Sequence, residues 1–275
     1  MLGFDSIRLA AVIALGAAGV AQAGLYTDNF DDFSPAPATL DGNAIAGTYA
    51  SNSGIRLVDA QPGLFGSIQV PVLDPGQVVQ SFTSTIGYAT PNLQSDPSIT
   101  NPDPRIRGTG LGLFFGQYAT GQDFDRRGPI AGLGSTPAGP AANGLAIELD
   151  TIVDTSPAAF RIYVNDVLIA TNAIHNPASN DIRSFVVAYT QTSPTGGLLS
   201  VTLNDNTVSP PAIFTNLAVN FVPELGDRFN IAGSTDNDVN RVWITDANLQ
   251  TVVPEPTALA GLAALAGLGL RRRSR

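Results

Sequence analysis

Short runs of apolar or alternating residues, each closed by Gly, Pro, Asn or Asp, recur along most of this chain of 275 residues. Such runs predict β-strands, because side chains alternate between the two faces of a strand and the bounding residues favour turns. Between the two ends of the chain, no stretch repeats its apolar residues at a helical spacing. The predicted strands cover residues 54–59, 77–86, 110–118, 144–152, 160–164, 167–173, 182–190, 198–203, 228–232 and 241–249.

Two pairs of these strands are close enough in sequence to form hairpins. Asn165-Asp166 separates the predicted strands 160–164 and 167–173, and a second pair is expected to meet near Gly196-Gly197. Stretches 95–104 and 128–144, rich in Pro and Gly, are predicted loops, since strand patterns resume after each. Many short antiparallel strands with long loops favour a sandwich, so we expect an all-β fold.

The N-terminal residues predict export. Arg8 precedes an apolar run at 9–20, and Ala21-Gln22-Ala23 is a cleavage site of small residues. Residues 1–23 are therefore a predicted signal peptide, and Gly24 is the expected first residue of the mature chain. Residues 24–252 are long enough for one all-β domain with a sizeable core.

The C-terminal residues 253–275, VPEPTALAGLAALAGLGLRRRSR, combine a Pro254-Glu255-Pro256 triplet, a short apolar segment and an arginine cluster. The 14 residues 257–270 would span about 21 Å as a helix, against a hydrocarbon core of about 30 Å. The positive-inside tendency would hold Arg271, Arg272 and Arg273 in the cytoplasm.

This tail resembles the PEP-CTERM sorting signal, which membrane proteases called exosortases recognise in Gram-negative bacteria that make extracellular polysaccharide. The resemblance implies a short transmembrane helix, transient anchoring in the inner membrane, cleavage by an exosortase-type protease, and delivery to the cell surface or extracellular matrix. An ordinary C-terminal anchor helix is the alternative.

Composition excludes several classes of function. A formal net charge of −9 argues against nucleic acid as a partner. The absence of lysine and cysteine excludes a P-loop, Schiff-base chemistry, thiol nucleophiles, thiolate metal sites and disulfides. A Ser-His-Asp triad would need His175, the single histidine, which lies in a predicted turn.

One predicted strand carries a pair of carboxylates on the same face. In LAIELDT at 145–151, Glu148 and Asp150 share a face with Ala146, because strand side chains alternate. Two carboxylates so placed repel each other unless a cation, a hydrogen-bond donor or solvent lies between them. A solvent-facing acidic strand is the simplest interpretation, and a calcium site is the alternative.

Several stretches stand in an order that resembles the legume-type (L-type) lectins. The family has a Gly-Leu-Ala-Phe-Phe strand, a Val-Glu-Phe-Asp-Thr strand and a Gly-Phe-Ser-Ala-Ser-Thr strand. This chain has TGLGLFF at 109–115, LAIELDT at 145–151, FNIAGST at 229–235 and RVWI at 241–244. The resemblance implies a concanavalin A-like jelly-roll β-sandwich, a fold that lectins, laminin-G-like modules and several glycanases share.

The resemblance also implies metal ligands, with departures. The family's matching Glu binds a transition metal, its matching Asp bridges that metal to calcium, and an Asn that binds sugar and calcium stands where this chain has Asp154. Glu148, Asp150 and Asp154 are thus candidate calcium ligands. The further Asp and His that complete the family's metal pair have no counterpart in 155–161, and Thr109 replaces the aspartate that hydrogen-bonds the sugar.

Three functions remain open at this point. The first is glycan or exopolysaccharide binding through loops at 122–127 and 234–240, where Asp236, Asn237, Asp238 and Asn240 offer donors and acceptors for sugar hydroxyls. Trp243, the only tryptophan, is a candidate sugar-stacking residue, although core packing is the commoner role of such a residue.

The second function is that of a matrix or spacer protein without specific sugar binding. The third is a β-glucanase-like glycoside hydrolase. Retaining enzymes of that kind need two glutamates about 5.5 Å apart. The segment 148–154 has Glu148 and two aspartates but no second glutamate, so we expect no enzyme activity.

Overall fold

The computed structural model describes residues 23–32, 36–59, 61, 64–90, 110–117, 144–150, 159–165, 167–174, 179–204, 212–234 and 241–254. Every regular element in these ranges is a β-strand, and neighbouring strands pair in antiparallel fashion. In chain order the strands are β1 (Leu25–Asp28), β2 (Thr39–Gly42), β3 (Ile45–Tyr49), β4 (Asn52–Val58), β5 (Phe65–Gln69), β6 (Ser81–Thr90), β7 (Gly110–Gly116), β8 (Gly144–Asp150), β9 (Ala159–Val164), β10 (Val167–Ala173), β11 (Ser179–Ser193), β12 (Gly196–Asn204), β13 (Ala212–Val219), β14 (Arg228–Ser234) and β15 (Val242–Val252).

Within the described residues the strands form two sheets. The eight-stranded sheet has the order β13-β12-β11-β6-β15-β4-β3, with β1 also paired to β15. The seven-stranded sheet has the order β10-β9-β8-β7-β14-β5-β2. The apolar residues of both sheets face each other across a shared core, which confirms the expected all-β sandwich.

All ten predicted strands are present, and the described ranges contain five further strands, β1, β2, β3, β5 and β13. The largest shift among the predicted strands is that of β6, which begins and ends four residues later than expected. The cause is a turn before it, where Gln77 N–H donates to the Asp74 carbonyl (3.1 Å) and Gly76 adopts a φ of 83°. The turn delays the start of pairing to Ser81.

The hairpin predicted at Asn165-Asp166 is confirmed, because Val164 pairs with Val167. Asn165 has a φ of 51°, a left-handed conformation that asparagine tolerates better than most residues. Its backbone N–H donates to the Gly144 carbonyl (2.9 Å), and its Oδ1 accepts the Gly144 N–H (3.0 Å). The turn therefore also fixes the start of β8.

The second hairpin turns at residues 194–195, two residues before the predicted position. Ser193 pairs with Gly196, so both glycines belong to β12. A Cβ on Gly196 would lie 2.3 Å from the Val219 carbonyl oxygen, and one on Gly197 would lie 2.4 Å from that of Thr190. These glycines therefore serve close strand approach rather than the turn.

The Asn165 turn gives a first testable prediction. We expect Asn165→Ala to lower the free energy of unfolding by about 1–2 kcal/mol, because alanine tolerates the left-handed conformation poorly and loses the side-chain hydrogen bond. Asn165→Gly keeps the conformation and loses only the hydrogen bond, so a smaller loss is expected. Denaturant titration measures both losses. Equal losses would show that the left-handed backbone at residue 165 does not contribute to the effect.

Candidate functional site

The ends of five strands of the seven-stranded sheet lie in one row. Gly110 pairs with Asp150 on one side and with Ser234 on the other, while Asp150 pairs with Ala159 and Ser234 with Phe65. We call this row the loop rim. Neighbouring strands are about 4.8 Å apart, so Asp150 and Ser234, two strands apart, are separated by about 10 Å.

Two stretches that carry candidate site residues begin at the loop rim. Residues 151–158, with Asp154, follow Asp150 directly, and the four candidate glycan-binding residues follow Ser234 in 235–240. Both stretches lie outside the described residues, as does 122–127. The strand register places Asp150 and Ser234, the residues from which the two stretches continue, at the same edge of the sheet.

Glu148 lies two residues inside the loop rim and is buried, with 2% of its surface exposed. Glu148 is therefore not solvent-facing, and the simplest interpretation of the sequence is wrong for this side chain. The register places Arg161 of β9 directly opposite Glu148, and Gly112 of β7 on its other side. Because residues directly opposite each other have Cβ atoms about 5 Å apart, Arg161 supplies a positive charge beside the buried carboxylate.

This arrangement bears on the calcium hypothesis. Glu148 has a cationic neighbour from the protein itself, so its burial needs no metal ion. In the ranges that the structure describes, no three acidic, His or Cys side chains come together to hold a metal. Asp150 is placed by its backbone at the loop rim, and Asp154 follows outside those ranges. Glu148, Asp150 and Asp154 therefore stay the calcium candidates that the sequence predicts.

The outer face of the seven-stranded sheet, turned away from the shared core, is itself covered near Glu148. Phe114, Ala146 and Ala232 form a second buried apolar cluster there. A Cβ on Gly112 would lie 2.8 Å from two ring carbons of Phe114, so the ring lies over this glycine. The doublet Phe114-Phe115 was the sequence signal for this cluster, because consecutive strand residues face opposite sides and both are aromatic.

Trp243 lies on the other sheet and is 7% exposed. Its ring is 5.9 Å from the Tyr49 ring, and the Arg56 guanidinium carbon lies 5.9 Å from its centroid. A Cβ on Gly47 would come within 3.1 Å of the indole, so the ring fills the space this glycine leaves. Trp243 is therefore a packing residue, and the sugar-stacking hypothesis is wrong for it.

The opposite end of the sheet from the loop rim carries a buried carboxyl group. Asp227, 3% exposed, immediately precedes β14, and its Oδ2 accepts the Glu224 N–H (2.7 Å). The pKa of Asp227 is raised to about 7, mainly by burial; the hydrogen bond from the Glu224 backbone lowers the pKa in part, and the nearby Glu224 charge adds to the rise. The Gln117 side-chain amide donates to the Glu224 carboxylate (3.1 Å) and so joins the end of β7 to the turn before β14.

The predicted sorting tail begins where the domain ends. β15 ends at Val252, Val253 is buried, and Pro254 is exposed. Glu255, Pro256 and the arginines at 271–273 lie outside the described residues. Among the residues that are described, no helix has the length and apolar character needed to cross a membrane.

No family model matches the sequence, and no curated protein matches it either. Solved structures do. A structure of peanut lectin with a 9mer peptide has a TM-score of 0.58 at 18% identity and covers 86% of this chain and 100% of its own.

A lectin from Bauhinia forficata in complex with GalNAc has a TM-score of 0.58 at 17% identity, over 84% of this chain and 99% of its own. The VIP36 exoplasmic/lumenal domain, in a form bound to Ca²⁺ and Man3GlcNAc, has a TM-score of 0.54 at 15% identity, over 82% and 89%. The chain therefore has the fold of the legume-type lectins, a concanavalin A-like β-sandwich.

Proposed function

We propose that this is an exported, exosortase-processed surface or matrix protein whose sandwich binds glycan chains at the loop rim. The observation that carries the proposal is the strand register. It brings the residues that precede Asp154 and those that precede Asp236 to one edge of a lectin-type sheet, at Asp150 and Ser234. The lectins of similar fold that were solved with GalNAc or Man3GlcNAc support sugar as the ligand class.

The chemistry of the proposed site follows from its residues. Asp236, Asn237, Asp238 and Asn240 supply carboxylate and amide groups that accept from and donate to sugar hydroxyls. Asp150 and Asp154 supply the oxygen ligands that calcium prefers, and a bound calcium ion would order the loop in which Asp154 lies. Glu148, which is buried and lies directly opposite Arg161, supports the strand from inside the sheet in this proposal.

We propose binding rather than hydrolysis. A retaining glycosidase needs two carboxyl groups, one of which must reach the sugar as a nucleophile. Glu148 is buried beside Arg161, and the following residues through Asp154 contain no second glutamate. The site therefore offers polar contacts for sugar hydroxyls but lacks the pair of glutamates that the β-glucanase-like enzymes use.

A glycan array that includes bacterial exopolysaccharides tests the function, with calcium and with a chelator. We expect retention on at least one glycan with calcium and at least tenfold weaker retention with the chelator. Retention on none would overturn the binding proposal and favour a spacer role. Release of reducing ends would show an enzyme instead.

A pair of variants tests the position of the site. We expect Asp150→Asn to weaken glycan binding at least about tenfold, equivalent to about 1.4 kcal/mol, because it removes a charged calcium ligand at the loop rim. Glu224→Gln is the matched control, since this exposed carboxylate lies at the far end of the sheet. Equal losses in the two variants, measured by calorimetry, would place the site elsewhere.

Export and sorting are tested on the protein made in a host that has an exosortase. We expect intact-mass measurement to show loss of the arginine cluster at 271–273, and Glu255→Gln to block that loss. A tail that stays intact in the presence of the protease would contradict exosortase processing without affecting the glycan proposal.

A further inference from the structure

The predicted cleavage point lies at the entrance to the first strand of the sandwich. Gly24 precedes β1, and Ala23 before it is exposed. The Gly24 carbonyl accepts the backbone N–H of Thr251 (2.9 Å), and Thr251 Oγ1, whose hydroxyl donates to Asp74, lies 3.3 Å from the same carbonyl oxygen. Gly24 is therefore held by the last strand, while the bond on its N-terminal side stays accessible.

Gly24 also lies against a buried carboxylate. A Cβ on this residue would be 2.7 Å from Leu73 Cβ, 2.7 Å from Thr251 Oγ1 and 2.9 Å from Asp74 Oδ2. A larger residue would collide with all three groups, so the position requires glycine. Because that Cβ would be bonded to the Gly24 α-carbon at about 1.5 Å, the α-carbon lies within about 4.5 Å of Asp74 Oδ2, and the α-nitrogen is bonded to the same α-carbon at about 1.46 Å.

The buried carboxylate of Asp74 has few hydrogen-bond donors around it. The side chain is 4% exposed, and within the described part of the chain its carboxylate accepts one hydrogen bond, from the Thr251 hydroxyl. An ionised carboxylate has about four acceptor positions, and its burial is costly without a counter-charge. A cation at the Gly24 nitrogen would supply that counter-charge.

We propose that Asp74 is the receptor for the α-ammonium group that forms when the chain is cut between Ala23 and Gly24. This inference rests on the export part of the proposed function. In the cleavage, water adds to the Ala23 carbonyl carbon, the C–N bond breaks, Ala23 leaves with a carboxylate, and the Gly24 nitrogen takes up protons to become an ammonium group. The uncut chain has a neutral amide with a single N–H at the same place.

The pairing makes removal of the signal peptide a stabilising event. Before cleavage, the buried Asp74 carboxylate lacks a charged partner at Gly24. After cleavage, a charge-assisted hydrogen bond joins the first residue of the domain to the segment before β6, next to the last strand. The mature domain is thus expected to be more stable than its precursor.

The experiment uses the full chain with a specific protease site inserted at two places. In one version cleavage leaves Gly24 first, and in the other it leaves Ala23 first, so the products differ by one residue. We expect the Gly24-first chain to unfold at a temperature about 2–4 °C higher. We also expect Asp74→Asn to remove that difference. Equal unfolding temperatures in the natural sequence would overturn the proposal.

A second measurement does not depend on the stability of the variant. Because the chain has no lysine, the α-amino group is its only primary amine, and acetylation followed by mass spectrometry reports on that group alone. The reference pKa of an α-amino group is about 7.7–8.0. We expect half-maximal reactivity of Gly24 at a pH about one unit higher than that of the Ala23-first chain. Coincident profiles would contradict the ion pair.

Failure of the Asp74 proposal can be distinguished from failure of the proposed export and glycan binding. Protein recovered from exporting cells with a first residue other than Gly24 would contradict the cleavage site, while the engineered chains would still test Asp74. Absence of glycan retention would leave both measurements unaffected.

Discussion

Phe115→Ala is expected to lower the free energy of unfolding by about 3–5 kcal/mol. Phe115 is 1% exposed and belongs to β7, where its ring centroid lies 4.7 Å from Phe82 and 4.7 Å from Phe229. Phe82 belongs to the facing sheet, so Phe115 packs across the sandwich. Tyr189 and Phe221 extend the cluster, with ring centroids 5.5 Å apart. Truncation would leave a cavity at the contact between the sheets.

Denaturant titration measures this effect, with Phe214→Ala as the control. Phe214 is half-buried at the margin of the core, so its truncation should cost about 1–2 kcal/mol. Phe115→Leu should fall between the two, since it keeps most of the apolar surface. Similar losses for Phe115→Ala and Phe214→Ala would show that the aromatic cluster does not hold the sheets together.

The strands that could be predicted from the sequence are those with a clear turn and a clear apolar run. β10 has its predicted bounds, because an asparagine turn ends the preceding strand and a short apolar run follows. β5 was missed because Gly66 interrupts its pattern. A Cβ on Gly66 would be 2.0 Å from the Leu57 carbonyl oxygen, so this glycine allows close approach to β4. Such a contact is set by the tertiary structure and leaves no period in the sequence.

The candidate site was predictable to the level of strands and faces. Alternation correctly put Glu148 on the face away from Leu149, which lies in the shared core. It gave no measure of burial, since alternation assigns the outer face of an antiparallel sheet to solvent by default. The second apolar cluster around Phe114 covers that face here. Arg161 was missed because cross-strand partners depend on register, which one strand alone does not reveal.

The end of the sheet opposite the loop rim is expected to make stability depend on pH. The pKa of Asp227 is about 7 in the folded chain, against an ordinary aspartate value of 3.8. Between these values the folded state binds more protons than the unfolded state, so stability falls as pH rises from about 4 to about 7 and stays low above that range. The full shift corresponds to about 4 kcal/mol at 1.36 kcal/mol per unit. Because solvent reaches the exposed Glu224–Gly226 part of the turn, we expect about 2 kcal/mol.

Asp227→Asn isolates this contribution, because asparagine stays neutral and its amide oxygen can still accept the Glu224 N–H. We expect the variant to gain about 2 kcal/mol relative to the natural chain between pH 4.5 and pH 8.5, measured as the difference of two denaturant titrations at each pH. Glu224→Gln should reduce the pH dependence only slightly, since burial is the main cause of the raised pKa. Parallel pH profiles for Asp227→Asn and the natural chain would mean that the Asp227 carboxyl ionises in the folded state as easily as in the unfolded one. The predicted dependence arises about seven residues along β14 from Ser234, so glycan binding at the loop rim should persist across the same pH range.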